Sequence, residues 1–222
     1  MNDMNTPDSG NNDVEAMLSD IEARVLGSLM EKQMTTPDYY PLTLNALVSA
    51  CNQKSSRTPV MNLSPGQVGS CVNKLRGEGL ITAMSGSRVD RFEQHLSRKL
   101  KLNSKERPLI AALLLRGPQT LNELKIHTNR MAEYDSHEEI EALLTALAER
   151  EEPLTIKLSR APGQREERYM HLICGMPDVS AVAAAPASVG STSGVAGRVA
   201  ELEQEVAELR EELSRLKRLI EP

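Results

Sequence analysis

Apolar residues recur along the first part of the chain at intervals that suit helices, and then over a shorter span at intervals that suit strands. From Leu18 to Lys32, LSDIEARVLGSLMEK places Ile21, Val25, Leu26 and Leu29 at helical spacing, with Ser19 and Glu22 set to form a capping box. A polar loop with Pro37 and Pro41 follows. Thr43 then caps TLNALVSACNQK, whose Leu44, Leu47, Val48 and Cys51 share a face. Ser64, Pro65 and Gln67 open a third helix that buries Val68, Val72 and Leu75 and stops near Gly79. LITAM, an SGS turn and RVDRFE then read as a two-stranded hairpin.

The same order returns. Ser104 opens SKERPLIAALLLRG, Thr120 opens TLNELKIHTNRM, and Ser136 with Glu139 opens SHEEIEALLTALAERE; LTIKLSR and RYMHLIC flank APGQREE as a longer hairpin. Thr43-Leu44-Asn45-x-Leu47 recurs as Thr120-Leu121-Asn122-x-Leu124, and Leu75 and Leu147 hold matching places before the two hairpins. Three helices followed by a hairpin is the winged helix-turn-helix pattern. The expected fold is therefore mainly α with small β wings (α+β): two tandem winged-helix domains, 18–95 and 96–174, and a C-terminal coiled-coil helix.

Beyond them, 175–197 is rich in Ala, Ser, Gly and Pro and predicts a flexible linker. In 198–222 the positions Val199, Leu202, Val206, Leu209, Leu213, Leu216 and Ile220 alternate by three and four, a heptad seam. A parallel pair would set Arg198 against Glu203, Glu205 against Arg210 and Glu212 against Lys217, three attractive meetings. Each is worth only about 0.3–0.5 kcal/mol, but an antiparallel pair would oppose Glu205 to Glu212. These seven apolar residues are the expected dimerisation face; the competing reading is an amphipathic helix folded onto its own chain.

Charge changes the picture locally rather than globally. The net charge of −5 argues against a general polyanion binder, but it resides at the ends: residues 1–17 carry −4 and 175–222 carry −3, against +1 in each predicted domain. The polar, acidic first seventeen residues predict a disordered lead-in and resemble no targeting segment. No apolar run has membrane-spanning length. Three cysteines, Cys51, Cys71 and Cys174, lie in no CxxC pair, so a reducing cytoplasm is expected and neither a disulfide framework nor a zinc ribbon is. With no Trp, one Phe and four Tyr, the chain lacks the stacking faces that single-stranded nucleic acids require. Nucleotide-binding, hydrolase and metalloprotease motifs are missing, and His95, His127, His137 and His171 fall on separate elements. No catalytic residue, metal or cofactor is expected, and the chain is not read as an enzyme.

The nucleic-acid question turns on the two third helices, since that helix enters the major groove in helix-turn-helix proteins. In the first domain its outward positions are Gly66, Gln67, Gly69, Ser70, Asn73 and Lys74, small and polar, with Gln and Asn able to pair with adenine and no Arg to read guanine. In the second it carries Glu138, Glu139, Glu141, Glu149, Glu151 and Glu152 against one Arg150, a face that repels phosphates. Arg88, Arg91, Arg98, Lys99, Lys101, Lys105 and Arg107 outweigh Asp90, Glu93 and Glu106, giving +4 over twenty residues. As a wing these cations would contact phosphates; the plainer alternative is a solvated linker laced with ion pairs. The polar turn CNQKSSRTPVMNLS adds Asn52, Gln53, Lys54 and Arg57, donors without an anion among them, while Ser55 and Ser56 suit local backbone capping.

YPLTLNALVSACNQKSSRTPVMNLS, RVDRFEQH and LLLRGPQTLNEL together resemble the YceH-like family of uncharacterised bacterial proteins, over roughly Leu18 to Gly175. The resemblance implies a tandem winged-helix fold and brings no established activity. It places the family's polar signature on Asn45, Asn52, Gln53, Lys54, Arg57, Arg88, Arg91, His95, Arg116 and Gln119. KIHTNRM is less basic than the family pattern, which counts against a DNA contact by that helix. The expected function is a DNA-binding regulator acting through the first domain and paired with a second copy by its tail. The rival is a protein-interaction adaptor that engages another protein through the second domain.

Overall fold

The computed structural model describes residues 17–85, 89–160 and 166–176. The acidic lead-in, Arg88, the segment after Met176 and the whole heptad seam lie outside them.

The first half runs α1 (Asp20–Thr35), β1 (Leu42–Thr43), α2 (Leu44–Cys51), α3 (Pro65–Gly77), β2 (Ile81–Ser85) and β3 (Asp90–Gln94). The second runs α4 (Leu96–Lys99), α5 (Glu106–Arg116), α6 (Leu121–Thr128), α7 (His137–Ala148), β4 (Thr155–Leu158) and β5 (Arg168–His171). This is a mainly helical α+β fold with small antiparallel sheets, consistent with the winged-helix pattern. Among the described residues no helix is long and apolar enough to cross a membrane.

Capping residues start the helices where local chemistry favours it. The Glu22 carboxylate accepts from the Ser19 amide, the Thr43 hydroxyl from the Ala46 amide, and Ser64 with Gln67 and Thr120 with Glu123 form reciprocal boxes. One start differs from expectation. Asn103, not Ser104, caps α5: its carbonyl oxygen accepts from the Lys105 and Glu106 amides, and Glu106 accepts from the Asn103 amide. Asparagine followed three residues later by glutamate supplies both halves of a capping box, which serine at the next position cannot.

β1, too short to register as a strand pattern, joins the hairpin as a third strand in the order β1-β3-β2, pairing Leu42 with Phe92 and Thr43 with Arg91. The repeated element order is accompanied by matching hydrogen bonds. Leu80 donates to Leu75 O at 2.9 Å and Leu154 to Leu147 O at 3.0 Å; His95 then donates to Leu80 O, and Leu172 to Leu154 O.

Every residue of α5 from Pro108 to Leu115 is buried, because the helix faces two cores at once. Ile110, Ala111 and Leu114 join the core built by α1, α2, α3 and the first sheet; Leu109, Ala112 and Leu113 join Leu124, Ile140, Leu144 and Tyr169. A helix apolar all round suits such a central place. Gly27 on α1 permits the close approach: a Cβ there would stand 3.1 Å from Leu114 Cβ.

Candidate nucleic-acid interface

The turn from Cys51 to Ser64 divides into an inner and an outer part. The Asn52 side chain behaves like a length of strand, accepting from the Leu63 amide at 2.7 Å and donating to Leu63 O at 2.8 Å. Arg57 is 4 % exposed. Its Nη1 and Nη2 grip Glu31 at 3.1 and 2.6 Å, while Nε donates to Ala50 O at 3.0 Å. A phosphate contact by Arg57, expected from its type and loop position, is therefore corrected: its fork is closed upon a carboxylate inside the protein. Burial would push the Glu31 carboxyl up, but the hydrogen bond and charge of Arg57 reverse this and hold it below the usual carboxylate range. Lys54 stays outside and exposed, and Gln53 is half-buried.

On α3 the outward positions are as the pattern predicts. Gly66, Gln67, Ser70, Asn73 and Lys74 are exposed and Gly69 is half-buried. The two glycines are not packing requirements, since a Cβ at Gly69 would meet only Leu44 Cδ2 at 3.8 Å, ordinary contact, and one at Gly66 only Ser64 Oγ at 3.9 Å. Three of these residues are partly engaged, Asn73 by accepting from Arg76 Nη1 at 3.5 Å. The Gln67 amide oxygen belongs to the helix cap, and Lys74 Nζ lies 2.6 Å from Glu22.

Arg91 projects from β3 and gives one N–H to Pro41 O at 3.0 Å. Arg98, Lys99 and Lys101 are exposed on α4 and just beyond it. Among the described residues Lys54, Arg91, Arg98, Lys99 and Lys101 make no ion pair within 4.0 Å, whereas Lys32, Lys74, Lys105, Arg150, Lys157 and Arg168 are each held by a glutamate. The basic run is thus split: Lys105 is bound to Glu139, while the cations nearer the first hairpin stand open. Arg88 lies outside the described residues.

Of the remaining signature positions, Gln119 is 3 % exposed, with Nε2 donating to Ala112 O and Oε1 2.6 Å from His127 Nδ1. His95 Nε2 lies 2.7 Å from the Thr82 hydroxyl. Gln119 organises the fold, and His95 is half-buried. Cys51 and Cys71 are core side chains, the Cys71 thiol pushed up to about 12 chiefly by burial, and so unreactive.

Sequence reasoning missed Arg24, a cation 2 % exposed within α1 whose guanidinium donates to Cys51 O and Pro59 O. Its place between Ile21 and Val25 on a largely apolar helix was the available signal. It also missed that two histidines are held neutral. Burial pushes His171 down to about 4, and burial with the neighbouring Arg116 charge does the same to His127. Each takes up a proton on unfolding once the pH is below the ordinary histidine value. Their stabilising effect is complete above about pH 6.5 and is lost as pH falls toward 4, at up to about 1.4 kcal/mol per pH unit for His171. Urea unfolding is expected to give lower stability at about pH 5 than at about pH 7; an equal or higher value at the lower pH contradicts the assignment.

Residues 18–164 match the family described as "Protein of unknown function, DUF480". The chain belongs to this family. It is 53 % identical over 175 residues to the UPF0502 protein of Pseudomonas paraeruginosa, covering 79 % of this chain and 78 % of that one. It is 49 % identical over 185 residues to the UPF0502 protein of Azotobacter vinelandii, covering 82 % of each. With the UPF0502 protein of Cupriavidus pinatubonensis it shares 43 % identity over 216 residues, 97 % of this chain and 92 % of the relative. The expected level of kinship, a bacterial family of unknown function, is met; these matches carry the DUF480 and UPF0502 names rather than the YceH-like one.

Proposed function

We propose that this DUF480 protein is a DNA-associated regulator, a binding protein rather than an enzyme, whose first half acts as a winged-helix unit on duplex DNA. The observation that carries the reading is a set of open cations: Lys54 and Arg91 in the first half, with Arg98, Lys99 and Lys101 just beyond its hairpin, are exposed and without carboxylate partners among the described residues, while α3 has an outer surface that is small and uncharged over its first turns. Such cations would hold the backbone, while Ser70 and Asn73 approach base edges. Because counterions leave as phosphates are neutralised, affinity should fall steeply with salt. Replacing Lys54 and Arg91 together by alanine is expected to weaken binding across all sequences and to shallow the salt slope by about two. An unchanged slope would remove both residues from the interface.

Self-association belongs to the same reading. The heptad residues Val199, Leu202, Val206, Leu209, Leu213, Leu216 and Ile220 suit a parallel pairing of two copies, which raises the effective concentration of two weak readers. Removing 198–222 is expected to halve the mass seen by light scattering; an unchanged mass defeats this part.

The alternative is an adaptor that binds another protein through its second half. Its support is the exposed glutamates at the start of α7, Glu138, and just past its end, Glu149, Glu151 and Glu152, together with Ile126 on α6, 56 % exposed. Salt separates the two readings, because the adaptor would show no salt-dependent retention of duplex.

A further inference from the structure

Where β3 gives way to α4 and α5, the surface folds into a recess of about 200 Å³ walled by Gln33, Gln94, His95, Arg98, Arg107 and Glu93 among others. Its back is rigid. Gln94, 4 % exposed, donates from Nε2 to Gln33 Oε1 at 2.6 Å and to Ser97 Oγ at 3.1 Å, and its backbone amide donates to the Tyr40 hydroxyl. The connection between the two arginines is braced as well: Arg150 donates to Leu100 O at 2.7 Å and to both Glu106 oxygens at 3.0 Å, and Asn103 caps α5 one turn before Arg107.

The two arginines themselves are unmatched. Neither the Arg98 nor the Arg107 guanidinium has a hydrogen-bond or ion-pair partner among the described residues, and Arg107 Nε is buried with none. Glu93 is the one carboxylate in the wall, so the lining keeps net positive charge. Guanidinium forks match the paired oxygens of phosphates and carboxylates. The volume lies below the 300–1,000 Å³ usual for sites enclosing larger ligands, which suits one tetrahedral oxyanion better than a nucleotide.

We propose that this recess seats a phosphate group between Arg98 and Arg107. The group can come from the backbone of a bound duplex, in which case the proposal deepens the DNA reading, or from a small phosphorylated molecule, in which case it stands apart from it.

The test titrates the full chain with inorganic phosphate, followed by amide chemical shifts, with chloride at matched ionic strength as control. Saturable shifts are expected at Gln94 to Leu102 and at Arg107, weakened about tenfold or more by Arg98→Gln or Arg107→Gln and unchanged in Arg130→Gln, an exposed cation on the turn after α6. Arg98 is exposed and Arg107 half-buried, and dispersion of the remaining amides verifies that the variants fold. If the source is a duplex, phosphate competes with DNA and Arg107→Gln lowers the salt slope by about one. If it is a small molecule, phosphate binds while duplex affinity ignores Arg107→Gln. Shifts that do not saturate, that chloride reproduces, or that survive both substitutions overturn the proposal. Should duplex retention fail while phosphate binding persists, only the DNA reading falls; the reverse pattern removes only the phosphate seat.

Discussion

Arg57→Ala is expected to destabilise the protein by about 3–5 kcal/mol, the usual loss when one member of a buried ion pair is removed. The figure follows from where the side chain sits. The Arg57 side chain is wholly buried, and Glu31 retains 15 % exposure. Truncation leaves the Glu31 carboxylate with only Lys32, 3.5 Å away, and leaves Ala50 O and Ser56 O without their donor. It also loosens the turn whose Thr58 amide donates to Leu115 O at 2.9 Å, a tie between the first half and α5. Urea unfolding with a Glu31→Ala, Arg57→Ala double variant isolates the coupling: the double is expected to lose less than the sum of the singles. A single-variant loss below about 1 kcal/mol would show that the pair is surface-like.

Gly27→Val is expected to be the other large effect, a loss of about 2–3 kcal/mol from overpacking. Alanine already brings a Cβ to 3.1 Å from Leu114 Cβ and from Leu115 Cγ and Cδ2, so that α1 and α5 must separate slightly, and valine adds two further methyl groups at the seam. Gly69→Ala is the matched control. Its added methyl meets only Leu44 Cδ2 at 3.8 Å, so relief of glycine's backbone entropy should raise stability by about 0.5–1 kcal/mol. Equal effects at the two sites, measured by thermal or urea unfolding, would mean that the helix pair is not close-packed at Gly27.

Features that depend on neighbours in sequence were legible before any coordinates. Ser19 with Glu22, Ser64 with Gln67 and Thr120 with Glu123 satisfy donors three residues away, so the pattern alone locates the helix starts. The repeated order of three helices and a hairpin was legible for the same reason, since Leu75 and Leu147 occupy matching positions in matching periodicities. Contacts across long separations were not. The Arg57 guanidinium reaches from its turn to Glu31 on α1, and nothing within the CNQKSSRT turn shows which of its two cations turns inward. The α5 stretch LIAALLLR announces burial but not that its two sides serve different cores. β1 is two residues long and exists because Leu42 and Thr43 find β3 nearly fifty residues later. The phosphate recess draws its wall from α1, β3, α4 and α5, a grouping that no local motif encodes.

The basic run illustrates both outcomes. Composition located a cationic stretch from Arg88 to Arg107, yet only geometry shows that Lys105 is tied to Glu139 while Arg98, Lys99 and Lys101 remain open. On that distinction the proposed role depends. The most direct measurement passes fragmented genomic duplex over the immobilised full chain at low salt and elutes with a salt gradient. Retention that is released by salt, and reduced when Arg98, Lys99 and Lys101 are together replaced by glutamine, is the predicted result; passage of the duplex without retention would contradict the account.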